Sequence, residues 1–426
     1  MSVTQRCAGC GRAIPELDPH ARCPACGGLL EVCHDAPPAT GDALRALFDT
    51  RWGMRRGPLA SGVWRFREAV LPTAGDDVVT YPEGNTPLST RPQISAWAGL
   101  GAGDFLLKQE GQNPTGSFKD RGMTVGVTQA CRVGAAAVAC ASTGNTGASL
   151  AAYAALAGLP ALVIVPKAHV TMGKLAQALA YGARTLLVRG DFDRCLELAE
   201  QASERLGVYL LNSINPFRLE GQKTIVLELL QQLSWEAPEW IVVPAGNLGN
   251  TAAFGKALGE ARAWGLIDRV PRLVAVQAEG AAPFALSFRE GFARRHRVEA
   301  RTVASAIAIG NPASYERAVL AIRETNGVVT TVTDDEILEA KAVVDAAGIG
   351  CEPASAAAVA GTRQLVRNGT IRSGDRVVGI LTGHVLKDPA IVTRYHQEID
   401  PPPARANRPV EIEPELGAVE RAMRAG

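Results

Sequence analysis

The chain has 426 residues, 47% hydrophobic and 20% charged, with 44 Lys and Arg against 43 Asp and Glu and a formal net charge of +1. This length allows two or more domains around a large core, and the balanced charge argues against a broad nucleic-acid surface and for a small partner. No uninterrupted apolar run reaches the ~18 residues of a spanning helix, and the start "MSVTQRCAGC" lacks a basic region followed by an apolar one, so a cytoplasmic protein without membrane contact is expected.

Residues 1–35 hold "CAGCGRAIPELDPHARCPACGG", two Cys-x-x-Cys pairs each followed by Gly. The spacing predicts a zinc-ribbon-like segment in which Cys7, Cys10, Cys23 and Cys26 supply four thiolates to a structural zinc. A closed four-thiolate site leaves no open position for chemistry, and few basic residues flank it, so nucleic acid is not expected as a partner. The other five cysteines, Cys33, Cys131, Cys140, Cys195 and Cys351, are scattered, which fits a reducing compartment better than a disulfide framework.

"DAPPATGD" reads as a linker, and Ala43 to Ala69 as partly helical, with Leu44, Leu47 and Phe48 at helical spacing. Residues 36–118 are expected to form the N-terminal part of a large domain. From Lys119 onward strand-like and helical segments alternate: "AAAVACAS", "GASLAAYAALAG", "ALVIVP", "TMGKLAQALAYGA", "RTLLVRG", "FDRCLELAEQASERLG", "VYLLNS". A second series runs through "WIVVPAG", "NTAAFGKALGEARAWG" and "RLVAVQAEG" to "DRVVGILTG". Alternation of this kind implies crossover connections and parallel sheets covered by helices. The predicted fold class is α/β, with a small domain over 119–215, a large domain over 216–398 and a cleft between them. Residues 399–426 form a Pro-rich tail, expected to lie on the surface without order of its own or to pack on a partner subunit.

Ligands of such sheets bind where strands end and helices begin, and several of these turns are rich in Gly, Ser, Thr and Asn. In "NPTGSFKDRG", Ser117 and Asp120 fit a capping pattern that puts Lys119 in the first helical turn. There the helix dipole and partial burial both favour the neutral amine, the form that condenses with an aldehyde; an exposed lysine on an ordinary capped helix has the same local pattern. "ASTGNTGAS" offers Ser142, Thr143, Gly144, Asn145 and Thr146 to an anion, plausibly a carboxylate. "PAGNLGNTAAF" offers Gly246, Asn247, Leu248, Gly249 and Asn250 to a phosphate while failing both the P-loop and the dinucleotide fingerprints, which disfavours an NTPase or a nicotinamide enzyme. "GILTGHVLKDP" ends a strand at Thr382, whose hydroxyl faces a ring nitrogen or simply finishes the strand. "LLNSINPFRLEGQKT" brings Asn212, Ser213 and Arg218 together, suited to a second phosphate or to an ordinary surface ion pair.

Taken together, "EGNTPL", "NPTGSFKDRG", "ASTGNTGASLAAYAA", "NSINPFRLEGQKT", "VPAGNLGN", "AIAIGNPAS", "CEPASAAAVAG" and "LTGHVLKDP", over residues 80 to 395, resemble the threonine synthase family of fold type II pyridoxal-phosphate enzymes. The resemblance implies that Lys119 bonds pyridoxal 5'-phosphate and serves as the catalytic acid and base. It implies that Asn145 meets the cofactor's phenolic oxygen, Gly246 to Asn250 its phosphate and Thr382 its ring nitrogen. The implied substrate is O-phospho-L-homoserine, its carboxylate on Ser142, Thr143 and Thr146 and its phosphate on Asn212, Ser213 and Arg218. A homodimer is implied as well. A relative acting on another phosphorylated amino acid such as O-phosphoserine, or a threonine or serine dehydratase, shares most of these motifs. The chain departs from the family at Val385, where glycine is usual, so a narrower loop at the ring nitrogen is expected.

Overall fold

In the computed structural model, which describes residues 1–142, 144–167, 172–190 and 192–424, the short apolar runs are strands buried among helices. The chain falls into two compact units, Met1–Lys387 and Asp388–Gly426.

The first unit opens with an antiparallel three-stranded sheet, β1 (Val3–Cys7), β2 (Ala13–Pro15) and β3 (Leu30–His34), in the order β2-β1-β3. Helix α1 (Gly41–Trp52) and the short α2 (Arg67–Val70) lead to β4 (Leu88–Thr90), α3 (Pro92–Ala98) and β5 (Phe105–Gln109). Next come α4 (Lys119–Arg132), β6 (Ala137–Ala141), α5 (Asn145–Ala157), β7 (Ala161–Pro166), α6 (Met172–Ala180), β8 (Arg184–Val188), α7 (Phe192–Leu206) and β9 (Val208–Leu210). Strands β6 to β9 form a four-stranded sheet in the order β8-β7-β6-β9, every pairing parallel. The chain continues through α8 (Pro216–Gln232), β10 (Trp240–Pro244), α9 (Gly249–Ala263), β11 (Arg272–Ala278), α10 (Pro283–Arg289), α11 (Tyr315–Glu324), β12 (Val328–Val332), α12 (Asp334–Ala346), α13 (Pro353–Arg367) and β13 (Val377–Leu381). The larger sheet has the order β12-β11-β10-β13-β5-β4 and is parallel except for the edge strand β4.

The reasons are local as well as global. Strands β6, β10 and β13 read "AVACA", "WIVVP" and "VVGIL" and are buried at every position, as parallel strands covered on both faces must be. Helix α8 starts where it does because Asn215 caps it, its side-chain oxygen accepting from the Phe217 and Arg218 N–H groups, with Pro216 in the first turn. Helix α12 starts in a reciprocal capping box between Thr333 and Glu336. Helices α4 and α8 cross at backbone contact: a β-carbon on Gly221 would lie 1.8 Å from the Arg121 carbonyl oxygen, so a side chain there would drive the helices apart. That close crossing brings Arg218 beside the start of α4.

The N-terminal sheet is tied to both larger sheets. Lys256 of α9 donates to the Val32 carbonyl at 2.6 Å, while on α4 Gln129 donates to the Glu16 carbonyl at 2.8 Å and Arg132 pairs with the Glu16 carboxylate at 2.5 Å.

The second unit holds α14 (Pro389–Thr393), one π-helical turn (Arg394–Glu398) and α15 (Leu416–Arg424). The tail, expected to lack order of its own, therefore carries a helix. Its sequence "LGAVERAMR" alternates apolar and charged residues at helical spacing, which the Pro-rich stretch before it obscures. Among the described residues no helix is long and apolar enough to cross a membrane.

Candidate active site

Lys119 is the first residue of α4, but the expected cap is not the one used. Phe118 occupies the N-cap position without a side-chain cap, and the Ser117 hydroxyl is buried with no partner. The backbone here is committed elsewhere. Ser117 bridges Gly383, the Phe118 N–H donates to the Thr382 carbonyl at 3.0 Å, and the His384 N–H donates to the Gly116 carbonyl at 2.9 Å. Asp120 instead reaches back to Thr115, accepting from its N–H at 2.7 Å and its hydroxyl at 2.6 Å, and takes a third bond from the Ser149 hydroxyl at 2.6 Å. The loop that presents Lys119 is thus pinned from both sides.

Removal from water pulls the Lys119 amine down to about 7, the Arg218 guanidinium adds to the fall and Glu352 opposes it. Burial, more than the helix dipole invoked from sequence, makes this amine available in its neutral form near pH 7. Arg218 itself is 1% exposed. One of its nitrogens, Nη1, donates to the Leu211 carbonyl at 3.0 Å, while Nε and Nη2 are buried without a partner. A guanidinium with two unspent donors in a dry site asks for an anion.

The other turns stand at the carboxyl ends of β6, β9, β10 and β13. Beyond β6, Ser142 and Thr146 are partly exposed, the Ser142 hydroxyl accepts from the Gly144 N–H at 3.3 Å, and Asn145 begins α5. Thr143 lies outside the described residues. Beyond β9, Asn212 exchanges two hydrogen bonds with the Ala141 backbone at 3.0 and 3.1 Å, which joins the ends of β6 and β9, and Ser213 is partly exposed.

Beyond β10, Gly246 packs so closely on the "AIAIG" segment that a β-carbon would lie 2.9 Å from the Ile307 Cα. Asn247 holds the next segment, accepting from the Ala313 N–H at its side chain and the Ser314 N–H at its carbonyl. Leu248 sits at φ 64 to turn into α9, which Gly249 and Asn250 begin. Asn250 Oδ1, the Thr251 hydroxyl and the Ser314 hydroxyl are buried with no partner around that helix N-terminus. Gln222 spans the two helices, its side chain 3.3 Å from a β-carbon placed on either Gly122 or Gly249.

Glu352 was assigned no role from sequence, and it joins two of the expected cofactor contacts. Its carboxylate accepts from Asn145 Nδ2 at 2.9 Å and from the Thr382 hydroxyl at 3.1 Å, and the Ser355 hydroxyl lies 3.0 Å from that of Thr382. Burial pushes the Glu352 carboxyl up. Val385 turns its side chain onto Gly350, where a β-carbon would meet it at 3.1 Å. A cluster of buried charge stands behind these loops. Glu228 accepts from Arg65 at 2.9 Å, Lys108 at 2.6 Å, Arg121 at 2.8 Å and the backbone N–H groups of Asn85 and Thr86 at 2.8 and 2.9 Å. Glu110 takes two more bonds from Arg121, both at 2.7 Å, and one from Asn113 at 2.9 Å. This cluster locks "EGNTPL" to the loop that carries Lys119.

Away from the cleft, the four sulfurs of Cys7, Cys10, Cys23 and Cys26 lie within 4.8 Å of one another, with Cys7 and Cys26 3.4 Å apart and Cys10 and Cys23 3.8 Å apart. A tetrahedron of thiolates at the zinc–sulfur bond length has sulfurs about 3.8 Å apart. The Cys10 N–H draws the Cys7 thiol down to about 6, toward the thiolate. His34, Glu220 and Glu260 also converge, but two lysines fill that space: Lys223 sits 2.6 Å from each of the two carboxylates, and Lys256 pairs with Glu220.

The desolvated lysine, the amide and hydroxyl of Asn145 and Thr382, and the glycine-lined helix N-terminus with its orphaned polar atoms fit an aldehyde coenzyme bearing a phosphate. The fold and site define a pyridoxal-phosphate-dependent enzyme, and the family model described as "Pyridoxal-phosphate dependent enzyme" matches residues 79–383. The threonine synthase of Methanocaldococcus jannaschii is 41% identical over 99% of this chain and 100% of its own length, and that of Synechocystis sp. is 48% identical over 73% of this chain and 79% of its own. The chain belongs to the threonine synthase family. In fold it matches the crystal structure of threonine synthase from Escherichia coli with a TM-score of 0.71 at 19% identity, covering 99% of both chains.

Proposed function

We propose that the chain converts O-phospho-L-homoserine and water to L-threonine and phosphate. The observation that carries this reading is the pairing of a desolvated amine, Lys119, with a buried guanidinium, Arg218, whose Nε and Nη2 are unspent. A dehydratase has no use for a second phosphate-binding cation in the same cleft.

Pyridoxal phosphate, when bound, supplies an aldehyde that takes up amines and a ring that draws electrons from the carbon next to them. The chain's own residues hold it and its substrate. Gly246 to Asn250 enclose the cofactor phosphate at the start of α9, Asn145 meets the phenolic oxygen and Thr382 the ring nitrogen, with Glu352 keeping these two side chains in place. Ser142, Thr143 and Thr146 take the substrate carboxylate, and Asn212, Ser213 and Arg218 its phosphate. Lys119, exchanged for the substrate's amine, removes the protons at Cα and Cβ. Phosphate leaves from Cγ, which takes a proton to become the methyl group. Water adds at Cβ and Lys119 returns the proton at Cα.

The test is release of inorganic phosphate, faster from O-phosphohomoserine than from O-phosphoserine; the reverse order would replace the substrate assignment. Arg218→Ala should raise the KM for the phosphorylated substrate by about a hundredfold, as for the loss of a charged hydrogen-bonded partner, with cofactor binding retained. Loss of the cofactor instead would mean that the two phosphate sites are exchanged.

We also infer that the cysteine cluster holds a structural zinc, that residues 1–35, 36–118, 119–215, 216–398 and 399–426 act as ribbon, first part of the large domain, small domain, rest of the large domain and tail, and that the enzyme works as a cytoplasmic homodimer. The nine cysteines are all unpaired with one another as disulfides, in keeping with a reducing compartment. Protein prepared without chelator should carry one zinc per chain, and strong chelation should lower its melting temperature through the loosened ribbon; zinc-free protein of unchanged melting temperature would remove the claim.

A further inference from the structure

Lys387 ends the short turn Val385–Lys387 that follows Thr382, and this turn folds over the loop that carries Lys119. The His384 N–H is held by the Gly116 carbonyl at 2.9 Å and the Lys387 N–H by the His384 carbonyl at 3.0 Å. The lysine side chain lies along the Gly116 backbone: a β-carbon built there would be 3.0 Å from Cε and 3.7 Å from Nζ. The hydrogen bond given for its ammonium is to a neutral group, Oε1 of Gln177 on α6, and Gln177 in turn donates to the Thr115 carbonyl at 3.2 Å.

The two acids whose charge reaches Lys387 are Asp120 and Glu352, and both are already engaged. Asp120 accepts from Thr115 and Ser149, and Glu352 from Asn145 and Thr382. Burial draws the Lys387 ammonium down, and with it the neighbouring His384 imidazole. A partly dehydrated cation bound only to an amide is poorly satisfied, and an arriving anion is a better partner than Gln177. Arg218, the other cation of the cleft with unspent donors, is a single positive charge. A phosphate monoester brings close to two negative charges near pH 7.

We propose that Lys387 is a second cation for the phosphate of the substrate, passing from Gln177 to the incoming dianion, and so a specificity-determining residue for phosphorylated amino acids. The proposal rests on the phosphorylated substrate assigned above. It accounts for the lysine of the "GHVLKDP" motif, which the cofactor contacts leave without a task.

The test uses the cofactor-loaded enzyme and its variants K387Q and K387R. K387Q should raise the KM for O-phosphohomoserine roughly tenfold or more with a much smaller change in kcat, as for the loss of one charged hydrogen bond. Its affinity for L-threonine, which carries the amine and carboxylate but no phosphate, should stay within about twofold when read from the coenzyme's absorption. K387R, which keeps the charge, should restore most of the KM and shows that the loop still folds. An unchanged KM in K387Q, or equal weakening of the phosphorylated and unphosphorylated ligands, overturns the proposal and leaves Lys387 as a strut to Gln177. Failure of the unaltered enzyme to release phosphate from O-phosphohomoserine would instead sink the substrate assignment itself.

Discussion

Lys119→Ala is expected to leave a folded protein that shows no visible absorption from lysine-bound coenzyme and no phosphate release. The side chain stands at the start of α4 with its aliphatic stem against Phe118, its Nζ 4.1 Å from the ring centroid, so truncation removes little packing. It removes the only covalent anchor proposed for the aldehyde and the group that moves protons at Cα and Cβ. The rate should fall by more than about a thousandfold, the range for loss of a positioned acid-base group. With the amine drawn down to about 7, roughly half of it is uncharged at neutral pH. Coenzyme capture by the unaltered protein should therefore quicken as pH rises through 7 and level off about one unit higher. A variant that kept the absorption and the turnover would overturn the assignment. A capture rate flat from pH 6 to 9 would show that the amine is not held near neutrality.

Glu228→Ala should be the most damaging change to stability. Glu228 is fully buried and faces Arg65, Lys108 and Arg121, with Glu110 as the one other acid of the cluster. Without it, three cations share a single carboxylate in a dry interior, and the N–H groups of Asn85 and Thr86 lose their acceptor. Breaking a buried pair by removing one partner costs about 3–5 kcal/mol. In a protein of this size that corresponds to a fall in melting temperature on the order of 10 °C. Those three cations hold the Glu228 carboxyl well below the usual carboxylate range. A depressed carboxylate contributes its stability above the unfolded value, near 4, and loses it only as pH falls through the folded value. The gap between variant and parent should thus be constant from pH 6 to 8 and narrow in acid. Equal melting temperatures at pH 7 would mean that the cluster reorganises without the acid.

Much of the candidate site was legible because it lies in turns. An apolar run that ends in Gly, Ser, Thr or Asn before a helix marks the carboxyl end of a parallel strand, and the turns at Ser142, Asn212, Gly246 and Thr382 all have that form. Lys119 stood out for a related reason, as a cation at a helix start. Glu352 stayed hidden because an acid before a Pro-led helix is an ordinary N-terminal residue, and only the fold brings it to Asn145 and Thr382. The cap was misread because Thr115 and Ser117 both precede Asp120 at plausible spacing, and the bridge from Ser117 to Gly383 that decides between them joins residues far apart in the chain. Strands β4, β5 and β12 were missed for lack of contrast. "LST" is too short to show a period, and "FLLKQ" and "VVTTV" mix apolar with polar residues in runs of five. The partners of Arg121 and Lys108 were not legible at all, since ion pairing across 107 and 120 positions has no local signature.

The bridge from Ser117 to Gly383 also sets an order of events during synthesis. Strands β6 to β9 pair among themselves within residues 137–210, and a growing chain can close that sheet once they have left the ribosome. The Lys119 loop emerges earlier still, but its backbone partners Thr382, Gly383 and His384 come some 260 residues later. Until they arrive, that lysine is on an untethered segment with no wall behind it. Competence to capture coenzyme is thus acquired near the close of translation, after most of the polypeptide has found its place.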